Sequence, residues 1–341
     1  MDRLPEIFLK YKPYIDRQLK SMVEDKNLPF YGMIRYHLGW ADSQGRSIKA
    51  GSGKYLRATL CLLGCESTGT SFAAALPLAG AIEYVHNFSL VHDDIQDNDR
   101  IRRHRPTVWS IWGKPQAINA GSAMRIIAGL ALHDLGRQGI SDSKHVQASA
   151  IMDQACLNML EGQYMDISFE TRARIGLDEY LSMIEKKTSA LIQASLMMGA
   201  CLNKDQKDLE PFRSLGLNLG LAFQIKDDML GIWGNDKKTG KISGSDIRKK
   251  KKSFPIIFLM GKLDGRAGRN FREIYSCKHI SGNDLKRIMG WLDRTEARQY
   301  SQEKADDYYK KTLKAIQDLP VRPNMKEHFK HISEFLVKRN F

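Results

Sequence analysis

The chain has 341 residues, of which 42% are hydrophobic and 27% are charged, a balance typical of a globular protein with a sizeable core. Lysine and arginine outnumber aspartate and glutamate by 53 to 39, so the formal charge of +14 favours an anionic partner such as nucleic acid, acidic lipid or a phosphorylated ligand. Because we find no apolar run of about 18 residues and no apolar secretory segment near the amino terminus, we expect a cytoplasmic protein without a membrane span.

The cysteines do not follow a metal-binding or disulfide pattern. The five cysteines are an odd number, and the sequence contains no CxxC pair and no nearby Cys/His set. Cys61 and Cys65 are four residues apart, and the other three are isolated. We therefore expect free thiols in a reducing compartment.

Most of the chain has the apolar spacing of amphipathic helices. Apolar residues recur every three or four positions over residues 71–94, 146–167 and 177–202, and alternating β-branched runs are nearly absent. The last part of the chain is typical of further amphipathic helices with basic outer faces. Polar, glycine-containing segments predict loops at residues 42–54, 104–116 and 234–246. With no repeat or linker in sight, we predict one all-α domain over residues 1–341.

The first of these helices ends in a gradient of charge, LVHDDIQDNDRIRRHRP, at residues 90–106. Asp93 and Asp97 are four residues apart, so they share a helix face with Cβ atoms about 5–6 Å apart. Two such carboxylates repel each other, and acids oppose the dipole at the carboxyl end of a helix, so a purely structural role explains them poorly. A bound Mg²⁺ removes the repulsion and completes its coordination with waters and substrate phosphates.

A second apolar helix, at residues 216–234, also ends in paired acids. These are Asp227 and Asp228, and Gln224 lies three residues before them on the same face. If both helix ends bordered one cavity, their acids would hold a cluster of Mg²⁺ ions around a polyanion, for which diphosphate is the natural choice. The basic excess fits, because arginine and lysine bind phosphate groups.

These stretches resemble the motifs of one family. DDIQD is similar to the first aspartate-rich motif of the trans-isoprenyl diphosphate synthases, the polyprenyl synthetase family, and FQIKDDMLG is similar to the second. Six further stretches resemble motifs of the family and follow in the family's order. They are SGKYLRA, YVHNFSLVHDD, RIRRHRPT, EGQYMDI, EKKTSAL and GKISGSDIRKKKKSFP. A lone DDxxD is unspecific, but an ordered set from Gly51 to Pro255 is not.

The resemblance implies a fold, a reaction and a metal. The fold would be a single-domain isoprenoid-synthase helical bundle with a central cavity between two aspartate-rich helix ends. The enzyme would condense isopentenyl diphosphate with an allylic diphosphate (dimethylallyl, geranyl or farnesyl) by ionisation, condensation and elimination. It would use Mg²⁺, three ions with substrate bound, and form a homodimer. Asp93, Asp97 and Asp227 would hold the metal ions, with Asp94 and Asp228 in support.

The resemblance assigns one group of residues to the allylic substrate. Arg102, Lys187 and Lys241 would bind its diphosphate, with Gln224 nearby. Thr188 and the carbonyl of Lys187 would steady the allylic cation, while fixed charges stabilise the leaving group and apolar walls exclude water.

A second group is assigned to isopentenyl diphosphate. It consists of Lys54, Arg57, His86 and Arg103. A lone histidine on an apolar helix is usually a core residue, but the basic companions favour a ligand role for His86. Of the four lysines from residue 249 to 252, we expect only Lys251 to turn inward.

Product length is tied to the helix before the first motif. Phe88 lies five residues before Asp93, and helix phase places it near the metal face, where it would form the floor of the chain pocket. Ser89, four residues before Asp93, is small. In the family this pattern implies a C20 product, geranylgeranyl diphosphate, with C15 as the nearest rival and C25 still open.

Five positions depart from the family pattern. Gly231 replaces the third acid of the second motif, and because glycine is unfavourable inside a helix we expect it to mark a helix end. His104 replaces a small residue after the double arginine. Tyr55 and Ala58 replace arginine and proline, which we expect to loosen the first loop. Ser122 replaces an acid.

Three other functions compete with coupling. A class I terpene cyclase shares the fold and the metal chemistry, but it has no use for an isopentenyl diphosphate site. A weakly active partner subunit of a prenyl synthase is favoured by Gly231 and opposed by the intact DDIQD. A nucleic-acid-binding protein would need basic residues interleaved with aromatics or a recognition helix, and we find neither.

Overall fold

A computed structural model of the chain describes residues 4–48, 53–205, 208–234 and 244–338. The contacts among residues group into two compact units. The amino-terminal unit contains Leu4–Cys156 and Ala194–Leu209, and the carboxy-terminal unit contains Leu157–Gln193 and Glu210–Phe341. The single domain expected over residues 1–341 stays a prediction.

The amino-terminal unit is built from helices and one short hairpin. Its helices are α1 (Glu6–Ser21), α2 (Pro29–His37), α3 (Leu56–Ser67), α4 (Leu76–Gln96), α5 (Val108–Trp112), α6 (Lys114–Leu132) and the first half of α7 (Asp142–Thr171). The 3₁₀ turns are Phe72–Ala75 and His133–Gln138. The hairpin pairs β1 (Ile101–Arg102) with β2 (Arg105–Pro106) in antiparallel register.

The carboxy-terminal unit continues from the second half of α7. Its remaining helices are α8 (Leu177–Ile184), the start of α9 (Ala190–Cys201), α10 (Glu210–Trp233), α11 (Ser245–Arg248), α12 (Phe254–Lys262), α13 (Gly265–Ser276), α14 (Gly282–Arg294), α15 (Ala297–Asp318) and α16 (Pro323–Val337). A single π-helical turn, Glu185–Ser189, joins α8 to α9.

Helix α4 forms the centre of the amino-terminal unit. It packs against α1, α3 and α6, and every residue from Leu78 to Val85 is buried. A helix that is apolar on all sides is stable only when neighbours cover it, and each fully buried Leu, Ile or Val side chain contributes about 1.5–3 kcal/mol. This packing fixes the carboxyl end of α4, which carries the first acidic motif.

Two glycines let α3 and α9 touch through their backbones. A Cβ built on Gly64 would lie 2.8 Å from the carbonyl oxygen of Leu196, and one on Gly199 would collide with the carbonyl oxygen of Cys61. Any larger residue at either position would push the two helices apart. The close contact holds α3, whose first turn carries Arg57.

Helix α10 forms the centre of the carboxy-terminal unit. It packs along α15 and against the π turn. Aromatic rings from α12 reinforce this core, since Phe258 stacks on Tyr300 with ring centroids 4.2 Å apart and Phe254 lies parallel to the same ring at 6.1 Å. Aromatic pairs of this kind add about 0.5–1.5 kcal/mol beyond their buried area. The core thus holds the half of α10 that carries the second acidic motif.

The prediction of an all-α fold is confirmed. The predicted helices over residues 71–94, 146–167 and 177–202 are present, the last with its π turn. Two predicted loops are wrong in part, because residues 108–112 and 245–248 form short helices that pack against longer ones. Within the described ranges, no helix is long and apolar enough to cross a membrane.

Candidate active site

The first acidic motif lies on the last turn of α4. The carbonyl of Asp93 accepts from the N–H of Asp97 at 2.8 Å, so these residues are one helical turn apart on one face. Asp93 is half-buried and Asp97 is exposed. Their carboxylates can therefore be reached from solvent by a charged ligand.

Asp94, which lies between Asp93 and Asp97 in the motif, forms a salt bridge with Arg102. It is 2% exposed, and the Arg102 Nε donates to its Oδ1 at 2.7 Å. Burial raises the pKa of Asp94 to about 6, and the positive charge of Arg102 acts against that rise. Asp94 thus fixes the guanidinium that we expect at the allylic diphosphate.

The hairpin turn after Arg102 is strained. Its two central residues, Arg103 and His104, have φ of 51° and 61°. A two-residue turn with both φ values positive is of type I′, which asparagine and glycine adopt most easily, and non-glycine residues held there cost about 1–3 kcal/mol each. His104 therefore occupies, under strain, a position that suits glycine, and the turn presents Arg103 towards α3.

The residues expected at isopentenyl diphosphate lie together at the start of α3. Arg57 stands in the first turn, with its Nη1 3.4 Å from the Nε2 of His86 on α4. Arg103 reaches the same place, since its Nη2 lies 3.3 Å from where a Cβ on Gly53 would stand. Lys54, next to Gly53, is exposed. The structure thus brings together three residues from separate elements.

His86 carries no charge in this cluster. Burial lowers the pKa of His86 well below its usual value, and the charges of Arg57 and Arg103 lower it further. A neutral imidazole can accept a hydrogen bond from Arg57, or donate one to a ligand from its other nitrogen, without adding to the repulsion between the arginines.

The expectation that Tyr55 loosens this loop is wrong. Tyr55 is 5% exposed, and its hydroxyl donates to Oδ1 of Asp16 on α1 at 2.6 Å. Its backbone is left-handed, with φ of 52°, at the residue before α3. Ala58 is fully buried. These contacts anchor the start of α3, and the sequence could not show that Asp16 lies beside it.

Phe88 and Ser89 have packing partners on α4 itself. Phe88 is 5% exposed, and its ring meets the His92 ring edge-on with centroids 5.4 Å apart. The Ser89 hydroxyl donates to the carbonyl of His86 at 2.8 Å. The role of Phe88 as the floor of a chain pocket stays a prediction.

In the second motif, Asp228 is fully buried and has four partners. Lys251 Nζ and Gln224 Nε2 lie 3.2 and 3.0 Å from its Oδ1. The N–H of Phe254 donates to Oδ2 at 3.0 Å, and the Tyr180 hydroxyl donates to the same oxygen. A buried charge is stable only with such partners. Asp228 is therefore the internal anchor of this region.

A chain of polar contacts links Asp228 to the π turn. Gln224, which donates to Asp228, accepts from the Thr188 hydroxyl at 2.8 Å. Lys187 Nζ lies 2.5 Å from Oδ2 of Asp166 on α7. Single π turns are frequent at functional sites, and this one presents Lys187 and Thr188 next to each other. The expected allylic residues Gln224, Lys187 and Thr188 thus lie in one region.

The lysines of the basic run after α11 contact different groups. Lys251 contacts Asp228 and lies 3.9 Å from Oδ2 of Asp246. Lys250 donates to the Cys277 carbonyl at 2.8 Å, and Lys252 reaches backbone carbonyls around Phe169. This division fits the expectation for Lys251. Lys241, also expected at the allylic diphosphate, lies outside the described residues.

Gly231 does not end its helix, so that expectation is wrong. Helix α10 continues through Gly231 to Trp233. A Cβ at this position would collide with the carboxylate of Asp246. Glycine is needed here because a neighbouring acid fills the space, and the carboxylate of Asp246 stands one turn beyond Asp227.

The donor atoms available in the two motifs suit Mg²⁺. Within the part of the chain that the structure describes, no three His, Cys, Asp or Glu side chains form a preassembled metal site. Mg²⁺, however, is usually held by one or two carboxylates together with waters and substrate phosphates. Asp93 and Asp97 offer two such carboxylates on one helix face, and half-buried Asp227 offers another in the second motif.

Sequence reasoning missed three residues of these regions. Asp166 pairs with Lys187, Tyr180 donates to Asp228, and Glu83 lies buried near the start of α3. Glu83 could have been noticed as the one charged residue within an apolar stretch from Leu78 to Val85. Asp166 and Tyr180 gave no such signal, because their partners are distant in sequence.

Comparisons with known proteins agree on one family. Residues 40–292 match the family model described as polyprenyl synthetase. The chain is 40% identical over 268 residues to the (2E,6E)-farnesyl diphosphate synthase of Mycobacterium bovis, covering 78% of this chain and 72% of the relative. It is 32% identical over 315 residues to the geranylgeranyl diphosphate synthase of Mycobacterium tuberculosis, covering 92% and 87%.

A solved structure extends this similarity to the fold. The crystal structure of a polyprenyl synthetase from Streptomyces coelicolor A3(2) superposes with a TM-score of 0.90 at 31% identity. The match covers 98% of this chain and 100% of that one.

Proposed function

The chain belongs to the polyprenyl synthetase family, and on this basis we propose that it condenses isopentenyl diphosphate with an allylic diphosphate to a short-chain all-trans prenyl diphosphate. The observation that carries the proposal is the cluster of Arg57, His86 and Arg103 at the start of α3. Arg57 and Arg103 are positively charged, and together with the neutral His86 they suit a second diphosphate. A cyclase, which ionises a single diphosphate, has no need of them.

The residues would divide the two substrates between them. Lys54, Arg57, His86 and Arg103 would hold isopentenyl diphosphate through fixed charges and hydrogen bonds. Arg102, held by Asp94, would contact the allylic diphosphate, as would a second set in the carboxy-terminal unit. That set is Lys187, Gln224, Lys241 and Lys251. Holding both substrates converts their encounter into a step within one complex.

The acids would bind the metal. Asp93, Asp97 and Asp227 would hold Mg²⁺, in keeping with their oxygen donors and partial exposure. Bound Mg²⁺ would neutralise charge developing on the departing diphosphate. Thr188 and the carbonyl of Lys187 would lie beside the allylic cation, with the Thr188 hydroxyl oriented by Gln224. Asp228 would keep Gln224 and Lys251 in place without binding metal itself.

The protein would act as a homodimer. Large apolar side chains are exposed on α6 at Ile118, Ile126 and Leu130 and on α7 at Leu157, Leu160, Tyr164 and Ile167. The α7 residues are spaced by three, four and three positions, the pattern of a helix that packs against another helix. A second copy of the chain would cover these faces, and sedimentation velocity would measure its presence.

The product would be C20 geranylgeranyl diphosphate, with Phe88 limiting the chain. Buried Phe88 has the bulk and the phase on α4 that this role requires. A C15 product is the second candidate, because the relative from Mycobacterium bovis is named a farnesyl diphosphate synthase.

The test is an assay of purified protein with Mg²⁺, labelled isopentenyl diphosphate and, separately, dimethylallyl, geranyl and farnesyl diphosphate. Label in a longer prenyl diphosphate is the expected result, and chromatography gives its length. Phe88→Ala should lengthen the product by at least one unit. A hydrocarbon released from an allylic diphosphate alone would instead identify a cyclase.

A further inference from the structure

Arg105 holds the hairpin that carries Arg103. In the antiparallel register Arg105 is the direct partner of Arg102, so both side chains leave the same face of the hairpin. Like charges placed directly opposite each other destabilise a strand pair, and each therefore needs compensation from outside it. Arg102 finds this compensation in Asp94 at 2.7 Å. The contacts of Arg105 show what else the hairpin is attached to.

Arg105 binds the end of α2 and the loop that follows it. Its Nη1 donates to the carbonyl of Tyr36 at 3.1 Å, and its Nη2 donates to the carbonyl of Ala41 at 2.9 Å. The last carbonyls of a helix lack partners inside the helix, and a positive charge is favourable beside them. A planar guanidinium presents its donors in a fixed fork, so one side chain can hold two carbonyls.

Tyr36 joins α2 to the hairpin in the other direction. Its hydroxyl donates to the carbonyl of Pro106, the residue after Arg105, at 2.8 Å. The Cζ of Arg105 lies 4.1 Å from the centroid of the Tyr36 ring, and the same ring meets Trp112 edge-on at 5.1 Å. Tyr36 is 5% exposed, so these contacts are shielded from water and stronger than on an open surface.

Arg105 also borders the same cavity as the arginines that we propose to bind substrate. A cavity of about 90 Å³ lies between the end of α2 and the hairpin, and its walls include His37, Asp94, Arg102, Arg103 and Arg105. A movement of β2 away from α2 would open this cavity and displace the turn that carries Arg103. Arg102 would move less, since its salt bridge with Asp94 anchors it to α4.

We propose that Arg105 is a positioning residue for isopentenyl diphosphate, which ties the turn carrying Arg103 to the end of α2. The inference rests on the proposed function, because that function gives Arg103 its substrate. Both Nη atoms of Arg105 donate to backbone carbonyls, so its effect on the substrate passes through Arg103. A turn that is fixed before binding lets the diphosphate meet a formed site, without the cost of ordering it.

The test compares steady-state kinetics of Arg105→Gln and Arg105→Lys with the wild-type enzyme. Glutamine removes both the charge and the fork, whereas lysine keeps the charge but lacks the fork that holds two carbonyls. We expect the KM for isopentenyl diphosphate to rise about tenfold with glutamine and about fivefold with lysine, through loss of charge-assisted hydrogen bonds. The KM for the allylic substrate and kcat should change less than about threefold.

Arg100→Gln is the matched control. Arg100 lies directly before β1, and its guanidinium stands over the Trp109 ring with Cζ 5.4 Å from the centroid. Like Arg105, it is an arginine beside the hairpin that covers an aromatic ring, but its side chain is exposed. Both KM values should stay at the wild-type level.

The outcomes separate two failures. A wild-type protein without coupling activity would contradict the proposed function itself. With an active wild type, a folded Arg105→Gln variant whose isopentenyl KM is unchanged, or rises no more than the allylic KM, would overturn the role of Arg105. A lysine variant with both wild-type KM values would also overturn it, because charge alone would then suffice. If Arg105→Gln does not fold, Arg105→Lys decides: a selective rise in the isopentenyl KM supports the role, and no selective rise overturns it.

Discussion

The two units compensate their charged side chains in different ways. In the carboxy-terminal unit two lysines of the candidate site face acids, with Lys187 on Asp166 at 2.5 Å and Lys251 on Asp228 at 3.2 Å. In the amino-terminal unit Arg102 pairs with Asp94 at 2.7 Å, but at the start of α3 neither Arg57 nor Arg103 forms a salt bridge with a described residue. We call the surroundings of Asp228, where the lysines are paired before any ligand arrives, the balanced region. We call the surroundings of Arg57 and Arg103, where neither arginine is held in a salt bridge with a described residue, the unbalanced region.

This difference indicates how each region would treat a diphosphate. Fixed cations that are not held in salt bridges can bind a polyanion directly and strongly. A region whose lysines are already paired with acids gains less from the anion alone, and acids beside it repel phosphate oxygens unless a cation is present. We therefore infer that isopentenyl diphosphate binds beside Arg57 and Arg103 without a metal ion. The allylic diphosphate, in contrast, would bind near Lys187 and Lys251 only with one.

The largest effect is expected from removing an acid that we propose to bind the metal. Asp93→Ala should lower the coupling rate by about 10²–10³-fold or more, because charge on the leaving diphosphate loses stabilisation. The fold should survive, since Asp93 is half-buried at a helix end. Rate and circular dichroism would be measured side by side. A variant with nearly full activity would remove the metal assignment.

The loss of a buried acid in the balanced region should reduce the stability of the protein. Asp228→Asn removes the buried negative charge that Lys251 contacts. It also replaces one of the two carboxylate oxygens that accept hydrogen bonds from Tyr180, Phe254 and Gln224. We expect the free energy of unfolding to fall by about 3 kcal/mol, measured by urea denaturation.

Asp227→Asn is the control for that stability effect. Asp227 is the neighbouring acid and is half-buried, so its loss should cost much less stability. Equal losses in the two variants would show that Asp228 is not the anchor.

The unbalanced region should make the protein sensitive to acid. Burial lowers the pKa of His37 to about 3, with the charges of Arg103 and Arg102 acting in the same direction. An unfolded histidine takes up a proton near pH 6.5, so between about pH 3 and 6.5 the unfolded state binds more protons. The stability that neutral His37 provides is present above pH 6.5 and is lost as the pH falls through this window.

His37→Gln would reveal this dependence. The difference in unfolding free energy between wild type and variant should shrink as the pH falls from 7 to 4, by at most about 1.4 kcal/mol per pH unit. His279→Gln, at an exposed position, should show no such trend. A constant difference for His37→Gln would mean that the histidine is not held neutral.

The smallest effect concerns the turn that presents Arg103. His104→Gly should relieve left-handed strain at φ 61° and raise the free energy of unfolding by about 1 kcal/mol. If that strain also orients Arg103, the KM for isopentenyl diphosphate should rise slightly. Lower stability in the glycine variant would contradict the strained turn.

The sequence alone predicted the helical fold and placed both acidic motifs on helices, because both depend on local spacing and on ordered motifs. The resemblance placed Asp94 and Asp228 in supporting positions, but the sequence could not show which residues bury them. Asp94 and Asp228 are buried by partners eight or more residues away, namely Arg102 and Tyr180. The reason for Gly231 was equally hidden, because Asp246, which fills its space, belongs to another helix.

The most direct test of the contrast between the two regions is calorimetric titration of the wild-type protein with isopentenyl diphosphate, once with Mg²⁺ and once with EDTA. Geranyl diphosphate is titrated under the same two conditions. We expect isopentenyl diphosphate to bind with similar affinity in both, and geranyl diphosphate to bind only with Mg²⁺. Loss of isopentenyl diphosphate binding in EDTA would contradict a site formed by fixed cations.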